Sequence, residues 1–244
     1  KRDWSSDVCS SDLPQDVVAR IVGQKLSELW KQSATVENRA GAGSLLSIQA
    51  AVKSPADGYN VLVTTPNIYL AVEKDKVYGI DSPYKLEQLT PLALLSANPL
   101  ALSVQAEKPL KTVAEFIAAA KTRNGEMAFS SSGPYGITHV PFAMFLDGTG
   151  IKMRHVPTTG GGPAVTQLLG GHVNATMQGL AAVYQYVKSG QFRVLAISGA
   201  KRSPLVTVPT LKEAGYDVEA YLWVGLFTTD RKSTRLNSSH VSES

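Results

Sequence analysis

The sequence predicts an α/β fold with parallel strands, divided into two lobes. From residue 16 to residue 65, amphipathic and strand-like segments alternate as helix, strand, helix, strand, which is typical of a parallel sheet. The same alternation returns later in the chain, and extended apolar segments at 90–105 and 218–229 flank this second block. Two crossing segments indicate a hinge and a cleft. We therefore expect a first lobe of 14–104 with 218–230, and a second lobe of 105–217.

The first lobe begins with a helix over 16–30, in which apolar residues follow helical spacing and Asp16 is placed as the N-cap. A short strand at 34–38 follows, and a second helix begins near Ser44, which is placed as its cap. A turn then leads to a buried strand within 56–65. This order requires one further strand just before residue 16.

Both ends of the chain lack the expected periodicity. Segment 1–13 repeats Ser-Ser-Asp, and segment 231–244 is equally aperiodic. Both resemble read-through translations of sequencing adapters, and two natural polar tails are the alternative. The first segment has a basic start but no apolar core, so it is not an intact signal peptide. It also contains the single cysteine, Cys9, so the rest of the chain offers no disulfide or cysteine-zinc site.

The second lobe continues the alternation. A helix over 112–122 begins at Thr112, and Glu115 stands at the capping-box spacing. A strand within 126–133 runs into the loop "FSSSGPYGITH", which opens the next helix. Further on, "IKMRHVPT" is a strand that enters a glycine turn and a helix, and "VNATMQG" is another strand. We expect the loops that follow these strands to gather at one edge of a sheet.

Composition excludes several classes of function. The net charge is +4, and no dense Lys/Arg run with interleaved aromatics supports nucleic-acid binding. No apolar run approaches the ~18 residues that a membrane span needs. Segment 38–44 resembles the start of a dinucleotide fingerprint, but Leu46 stands where the third glycine is required, so we expect no cofactor. The spacing of His139, His155 and His172 matches no metal motif.

The Ser-rich loop supports two interpretations. As an anion cradle, it combines hydroxyl donors with the backbone N–H groups of a helix start, which favour a carboxylate or phosphate. As a helix cap, the same residues would have only a structural role, and the sequence leaves both open. Catalysis is disfavoured, because no glycine stands two residues before Ser131 as a nucleophile elbow requires.

Six motifs together carry a family resemblance. In order they are "VENRAGAGS", "ADGYNVLVTT", "FSSSGPYGITH", "HVPTTGGGPAVTQLLGGHV", "GQFRVLAISGAKRSPLVTVPTLKEAGY" and "WVGLF". The chain resembles the extracytoplasmic solute receptors of tripartite tricarboxylate transporters, the Bug-type receptors, over nearly all of 14–230. The resemblance implies a periplasmic-binding-protein fold of type II whose two lobes close over a small carboxylate. It further implies a monomeric periplasmic receptor without cofactor or catalysis, which delivers its ligand to membrane permease subunits.

The family's ligand-binding loops correspond to loops of this chain that follow strands. The resemblance implies the following ligand-binding residues: Asp16, Thr64, Thr65, Asn67, Ser130, Ser131, Ser132, Gly133, Thr138, His139, Thr158, Gly160, Gly161, Gly162, Pro163, Ala164, Gln178 and Gly179.

This chain departs from the family pattern at several positions. The family's glycine-rich N-terminal loop is recognisable only from Asp16 onward, and 231–244 replace its C-terminal helices. An acidic residue common in the family is Gln167 here, and a frequent Asp or Ser is replaced by Gln178-Gly179. Two alternatives follow: the effector-binding domain of a transcription regulator, which would need an upstream helix-turn-helix, and a serine hydrolase.

Overall fold

The computed structural model describes residues 4–8, 13–39 and 44–229, with side chains from Gln15 onward. These residues form two compact units. The first unit runs to Ser96 and resumes at Trp223, and the second spans Ala97–Leu222. The predictions for Cys9 and for 231–244 concern residues outside the described part of the chain.

The first unit is built on parallel strands, each followed by a helix. These elements are β1 (Trp4–Val8), α1 (Leu13–Trp30), β2 (Ala34–Asn38), α2 (Leu45–Lys53), β3 (Asn60–Thr64) and α3 (Asn67–Val77). A 3-10 turn at Leu86–Gln88 leads into the long strand β4 (Leu89–Gln105). The strand order is β2-β1-β3, and β3 also pairs antiparallel with β9 (Tyr221–Thr229).

The strand β1 is the further strand expected before residue 16, although it lies within segment 1–13, which shows no strand periodicity. Its residues from Ser5 to Val8 are paired with β2 on one side and with β3 on the other. A strand between two neighbours is held by backbone hydrogen bonds that any sequence can make. Its position in the sheet therefore outweighs its local side-chain pattern.

The two helix caps expected in the first unit, at Asp16 and at Ser44, are not formed as predicted. The helix α1 begins at Leu13, so Asp16 lies within its first turn and is not its N-cap. Ser44 stands at the N-cap of α2 but makes no side-chain capping bond. The apolar core of this unit contains Ile48, Leu62 and Ile68, all nearly inaccessible to solvent.

The second unit has four helices and is built on a mixed sheet. Its elements after β4 are α4 (Val113–Thr122), β5 (Ala128–Ser131), α5 (Val140–Thr149), β6 (Arg154–Pro157), α6 (Gly161–Leu169), β7 (Ala175–Gly179), α7 (Leu180–Lys188) and β8 (Phe192–Ile197). The strand order is β6-β5-β7-β4-β8, with β5, β6 and β7 parallel and β4 antiparallel to β7 and β8.

Both units share one arrangement of strands. In each, the first parallel strand lies between the second and the third, and the third pairs antiparallel with a strand in which the chain passes from one unit to the other. Three strand-to-helix loops of one unit thus correspond to three of the other. Because the carboxyl ends of parallel strands share one edge, the three parallel strands of each unit end at the same edge.

The strand β4 is longer than the sequence suggested. Asn98-Pro99 interrupts this segment in the sequence and favours two separate strand pieces, but the structure has one strand of 17 residues. The pairs with β7 and β8 involve residues from Leu100 onward, beyond the proline that lacks an N–H. The proline therefore interrupts no hydrogen bond of that ladder.

The predicted start of α4 is confirmed. The N–H of Glu115 donates to the Thr112 hydroxyl (3.1 Å), and the Glu115 carboxylate accepts from the N–H of Lys111 (2.5 Å). The carboxylate thus reaches one residue beyond the N-cap that a capping box would use. The cap satisfies one of the helix's otherwise unpaired first-turn N–H groups.

Substitution of this cap gives a first expected result. Thr112→Ala is expected to lower the free energy of unfolding by about 1 kcal/mol in urea titrations. Thr122→Ala is the matched control, because the exposed Thr122 hydroxyl only donates to the Ala118 carbonyl at the other end of the helix. Equal losses in the two variants would contradict a capping role for Thr112.

Candidate functional site

Ser130 and Ser131 end β5 and have fully buried side chains. The Ser130 hydroxyl donates to the carbonyl of Ala164 (2.8 Å), and the Ser131 hydroxyl donates to the carbonyl of Gly133 (2.9 Å). Since a carbonyl oxygen only accepts, both hydroxyl protons are engaged within the protein. These two serines fix the loop and the start of α6, and they keep no hydroxyl proton for a ligand.

Ser132 is more accessible and lies where three loops meet. Its N–H donates to the Thr138 hydroxyl (2.9 Å), and its own hydroxyl lies 3.1 Å from Gln178 Oε1. Gly161 faces the same place, because a Cβ there would lie 3.3 Å from Gln178 Oε1 and 3.6 Å from Ser132 Oγ. The structure therefore brings together Ser132 and Thr138 of the Ser-rich loop, Gly161 of the glycine loop and Gln178 at the end of β7.

The glycine loop between β6 and α6 is tied to the Ser-rich loop through Thr158. Its N–H donates to the Ser131 carbonyl (3.0 Å), and the single proton of its hydroxyl is shared between that carbonyl (2.9 Å) and the Gly160 carbonyl (2.7 Å). The helix α6 then begins at Gly161, with Gly160 at the N-cap. Gly162 and Pro163 are exposed in its first turn, while Ala164 is buried. A helix start of this kind carries positive partial charge, which favours an anion.

Gln178 and Gly179 end β7 and have different roles. Gln178 is almost fully buried, and its Nε2 lies 3.3 Å from the hydroxyl of Thr176. A Cβ at Gly179 would lie 3.0 Å from Leu222 Cδ2. Gly179 therefore allows a close approach of β7 and Leu222.

Two histidines stack beside the Ser-rich loop. The rings of His139 and His155 are nearly parallel, with centroids 4.0 Å apart, and the Phe129 ring lies 4.9 Å from His155 and 6.0 Å from His139. His155 Nε2 is 2.7 Å from Ser131 Oγ. With the Ser131 proton on the Gly133 carbonyl, the His155 tautomer that fits both contacts carries its hydrogen on Nε2. His139 Nδ1 accepts from the N–H of Tyr135 (3.0 Å), so its proton lies on Nε2.

Burial keeps both histidines neutral. Burial first, and the neighbouring His139 second, lower the pKa of His155 to about 4. Burial also lowers the pKa of His139. With its hydrogen on Nε2, His155 donates to Ser131 and cannot take a proton from it, so the pair lacks the arrangement of a base and a nucleophile.

In the first unit, the end of β3 carries polar groups without partners. The hydroxyls of Thr64 and Thr65 are buried, and neither has a hydrogen-bond partner among the described residues. The same holds for Oε1 of Gln15, in the first turn of α1. Val8, which ends β1, pairs with Val63 in register, so these loops share one edge of the sheet. Buried polar groups are costly unless they are bonded, so these three are suited to a ligand or water.

Asp16 and Asn67 lie at the same edge. Asp16 accepts from Arg20 Nε (2.9 Å) and Asn38 Nδ2 (2.8 Å), and these hydrogen bonds hold the pKa of its carboxyl below the usual value. Its negative charge does not favour a bound carboxylate, and its contacts join α1 to the end of β2. Asn67 is the first residue of α3.

The sequence did not indicate His155 or Thr176 as parts of the site. Both lie within strands, and their positions depend on the pairing of β5 with β6 and β7, which places Phe129 beside His155 and Ser130 beside Thr176. Strand register is not encoded in a local motif. Over the described ranges, no group of three or more His, Cys, Asp or Glu residues could hold a metal ion. None of the helices in this part of the chain is long and apolar enough to cross a membrane.

Polar groups gathered at the carboxyl edges of two similar α/β units define a small-molecule-binding protein. A family model described as "Tripartite tricarboxylate transporter family receptor" matches residues 18–236, and the chain belongs to this family. The family consists of receptors, so the expectation of a binding protein that is not an enzyme is confirmed.

Similar proteins agree with this assignment. Protein BugT of Bordetella pertussis is 36% identical over 234 residues, which cover 93% of this chain and 71% of that protein. A relative from Pseudomonas sp. strain P51, encoded in the tcbD-tcbE intergenic region, is 28% identical, and the match covers 87% of this chain and 63% of that protein.

A solved structure supports the fold. It is R. palustris Rpa4515 with adipate, which has a TM-score of 0.85 at 28% identity and covers 98% of this chain and 80% of that chain. The predicted two-lobe fold of periplasmic binding proteins is therefore confirmed.

Proposed function

We propose that this protein is a periplasmic receptor that binds a small organic carboxylate and delivers it to the permease subunits of a tripartite tricarboxylate transporter. Membership of the receptor family supports the transport role. The adipate bound by the related Rpa4515 supports a carboxylate as the ligand. We propose further that the receptor acts as a monomer.

The observation that carries the proposal is the pair of unpartnered hydroxyls at Thr64 and Thr65. A hydroxyl has one proton and can turn it toward a carboxylate oxygen, and a neutral donor in a buried site is strengthened by the low local dielectric. The second unit has a neutral donor of its own in the Thr138 hydroxyl, and the first turn of α6 carries positive partial charge that favours an anion. The Thr138 oxygen accepts from Ser132, and its own proton is not engaged by any described residue.

The proposal is tested by thermal unfolding with a panel of carboxylates. Dicarboxylates of four to six carbons, acidic amino acids and aromatic acids are each added in excess. A ligand present at about 100 times its Kd is expected to stabilise the native state by about 2.7 kcal/mol. For a chain of this size, that corresponds to a rise in Tm of roughly 5–10 °C. A panel without any shift would overturn the proposal.

The double variant Thr64→Val/Thr65→Val separates binding from folding. Valine has nearly the shape of threonine, and the two hydroxyls it removes have no partner in the described structure. The ligand-free variant is therefore expected to be as stable as the wild type or more stable, while the ligand-induced shift falls. If the variant retains the ligand-induced rise in Tm, the residues that follow β3 are not part of the binding site.

A further inference from the structure

The hydrogen bonds around Gln178 run in one fixed direction. The Thr176 hydroxyl lies 2.9 Å from the Ser130 carbonyl, which can only accept, so the Thr176 proton points there. Thr176 Oγ1 must then accept from Gln178, and the group facing it at 3.3 Å is the amide nitrogen Nε2. This settles the orientation of the Gln178 amide and places its oxygen toward Ser132.

The same donor-to-acceptor direction applies to the hydrogen bond between Gln178 and Ser132. Gln178 Oε1 is an acceptor, so the Ser132 hydroxyl donates to it across 3.1 Å. The proton of Ser132 is thereby engaged, and its two lone pairs remain. Ser132 is therefore an acceptor for any molecule that reaches it, although serine can in general act as a donor.

Reversal of this bond would carry a cost. If Ser132 turned its proton toward a ligand, Gln178 Oε1 would lose the one partner that it has among the described residues. Gln178 is 2% exposed, so water has little access to replace that partner. A buried acceptor without a partner is unfavourable, so the network resists a ligand that needs a donor at this point.

Gly161 leaves space beside this acceptor. A Cβ at this position would lie 3.6 Å from Ser132 Oγ and 3.3 Å from Gln178 Oε1, so any longer side chain would occupy the space next to both oxygens. Ser132 is itself partly exposed. A group of a few atoms can thus approach the acceptor from the side of the first turn of α6.

We infer that the ligand carries a hydrogen-bond donor, a hydroxyl or an ammonium group, next to its carboxylate, and that Ser132 accepts from it. Gln178 is the specificity-determining residue in this account, because it holds the Ser132 hydroxyl in the accepting orientation. A hydroxy or amino carboxylate is expected to bind more tightly than its unsubstituted analogue. This inference rests on the proposed carboxylate-binding function.

The experiment compares matched ligands by isothermal titration calorimetry. The carboxylate that gives the largest thermal shift is titrated beside its unsubstituted, hydroxy and amino analogues, with both enantiomers of each chiral compound. For a four-carbon compound these are succinate, malate and aspartate. At least one substituted compound is expected to bind about tenfold more tightly than the unsubstituted one, the difference that one additional hydrogen bond typically gives.

Substitution of Gln178 tests whether this residue causes the preference for a hydroxy or amino carboxylate. In Gln178→Met the Ser132 proton is released, so the ratio of the two Kd values is expected to fall from about ten to about one. The matched control is Gln185→Met, the same exchange at an exposed position of α7, where the ratio should be unchanged. If Gln178→Met does not fold, the comparison of ligands on the wild-type protein still decides the inference.

The possible failures are distinguishable. If the unsubstituted compound binds as tightly as its hydroxy and amino analogues, the inference about the donor is overturned, while carboxylate binding stands. A preference that persists in Gln178→Met would overturn the role of Gln178. If no carboxylate of any series binds, the proposed function itself fails.

Discussion

Gly161→Leu is expected to weaken carboxylate binding about a hundredfold, which corresponds to about 2.7 kcal/mol. The new side chain would start 3.3 Å from Gln178 Oε1 and extend into the space beside Ser132. The free energy of unfolding should change little, because leucine favours a helix over glycine by roughly 0.8 kcal/mol and this gain offsets some crowding. Calorimetry for binding and urea titration for stability measure the two effects separately.

The adjacent glycine provides the control. Gly162 is exposed in the same turn of α6, and a Cβ there would have no neighbour within 4 Å. Gly162→Leu should therefore keep most of the binding. Wild-type affinity in Gly161→Leu would show that the start of α6 lies outside the site. A large loss of stability in that variant would show instead that the space is needed for packing.

Acidification is expected to destabilise the protein through His155. Its pKa is about 4 in the native state and 6.5 in the reference state, so between these values the unfolded chain binds more protons than the native one. The free energy of unfolding therefore rises with pH in this window. The contribution of His155 is fully present above about pH 6.5 and is lost as the pH falls toward 4. The loss is about 2 kcal/mol after allowance for partial exposure of the ring.

Urea titrations between about pH 4 and pH 6.5 measure this loss in the free energy of unfolding. His155→Phe keeps a ring that can stack on Phe129 and His139 but cannot titrate, so the slope of stability against pH should become flatter. His139→Phe, which removes the second histidine of the stack, should flatten it to a smaller extent. An unchanged slope in His155→Phe would assign the acid sensitivity to other groups.

Much of the architecture was accessible from the sequence because it depends on periodicity. Alternating helical and strand-like patterns indicated the α/β fold, and Thr112 with Glu115 indicated the start of α4. The same patterns placed the Ser-rich, glycine and Gln178 loops at strand ends. Because parallel strands end at one edge, Ser132, Gly161 and Gln178 could be expected close together before any distance was known.

The structural features that the local sequence did not predict depend on contacts between distant segments of the chain. The strand β1 is defined by its pairing with β2 and β3, and nothing in "WSSDV" marks it. His155 reaches Ser131 only through the register of β5 and β6. Whether a serine is a donor or an acceptor also depends on its partners, so the residue type alone overestimated the donors in "FSSSGPYGITH".

The hydroxyls of Thr64 and Thr65, which have no hydrogen-bond partner among the described residues, affect how long the protein persists in the cell. Valine at either position would satisfy packing without leaving a buried polar group, so under the proposed function the threonines exchange stability for binding. A receptor built in this way is least stable when it is empty. Proteases act on transiently unfolded chains, so empty copies would be degraded faster than occupied ones. The amount of receptor would then follow the supply of its solute without any change in transcription.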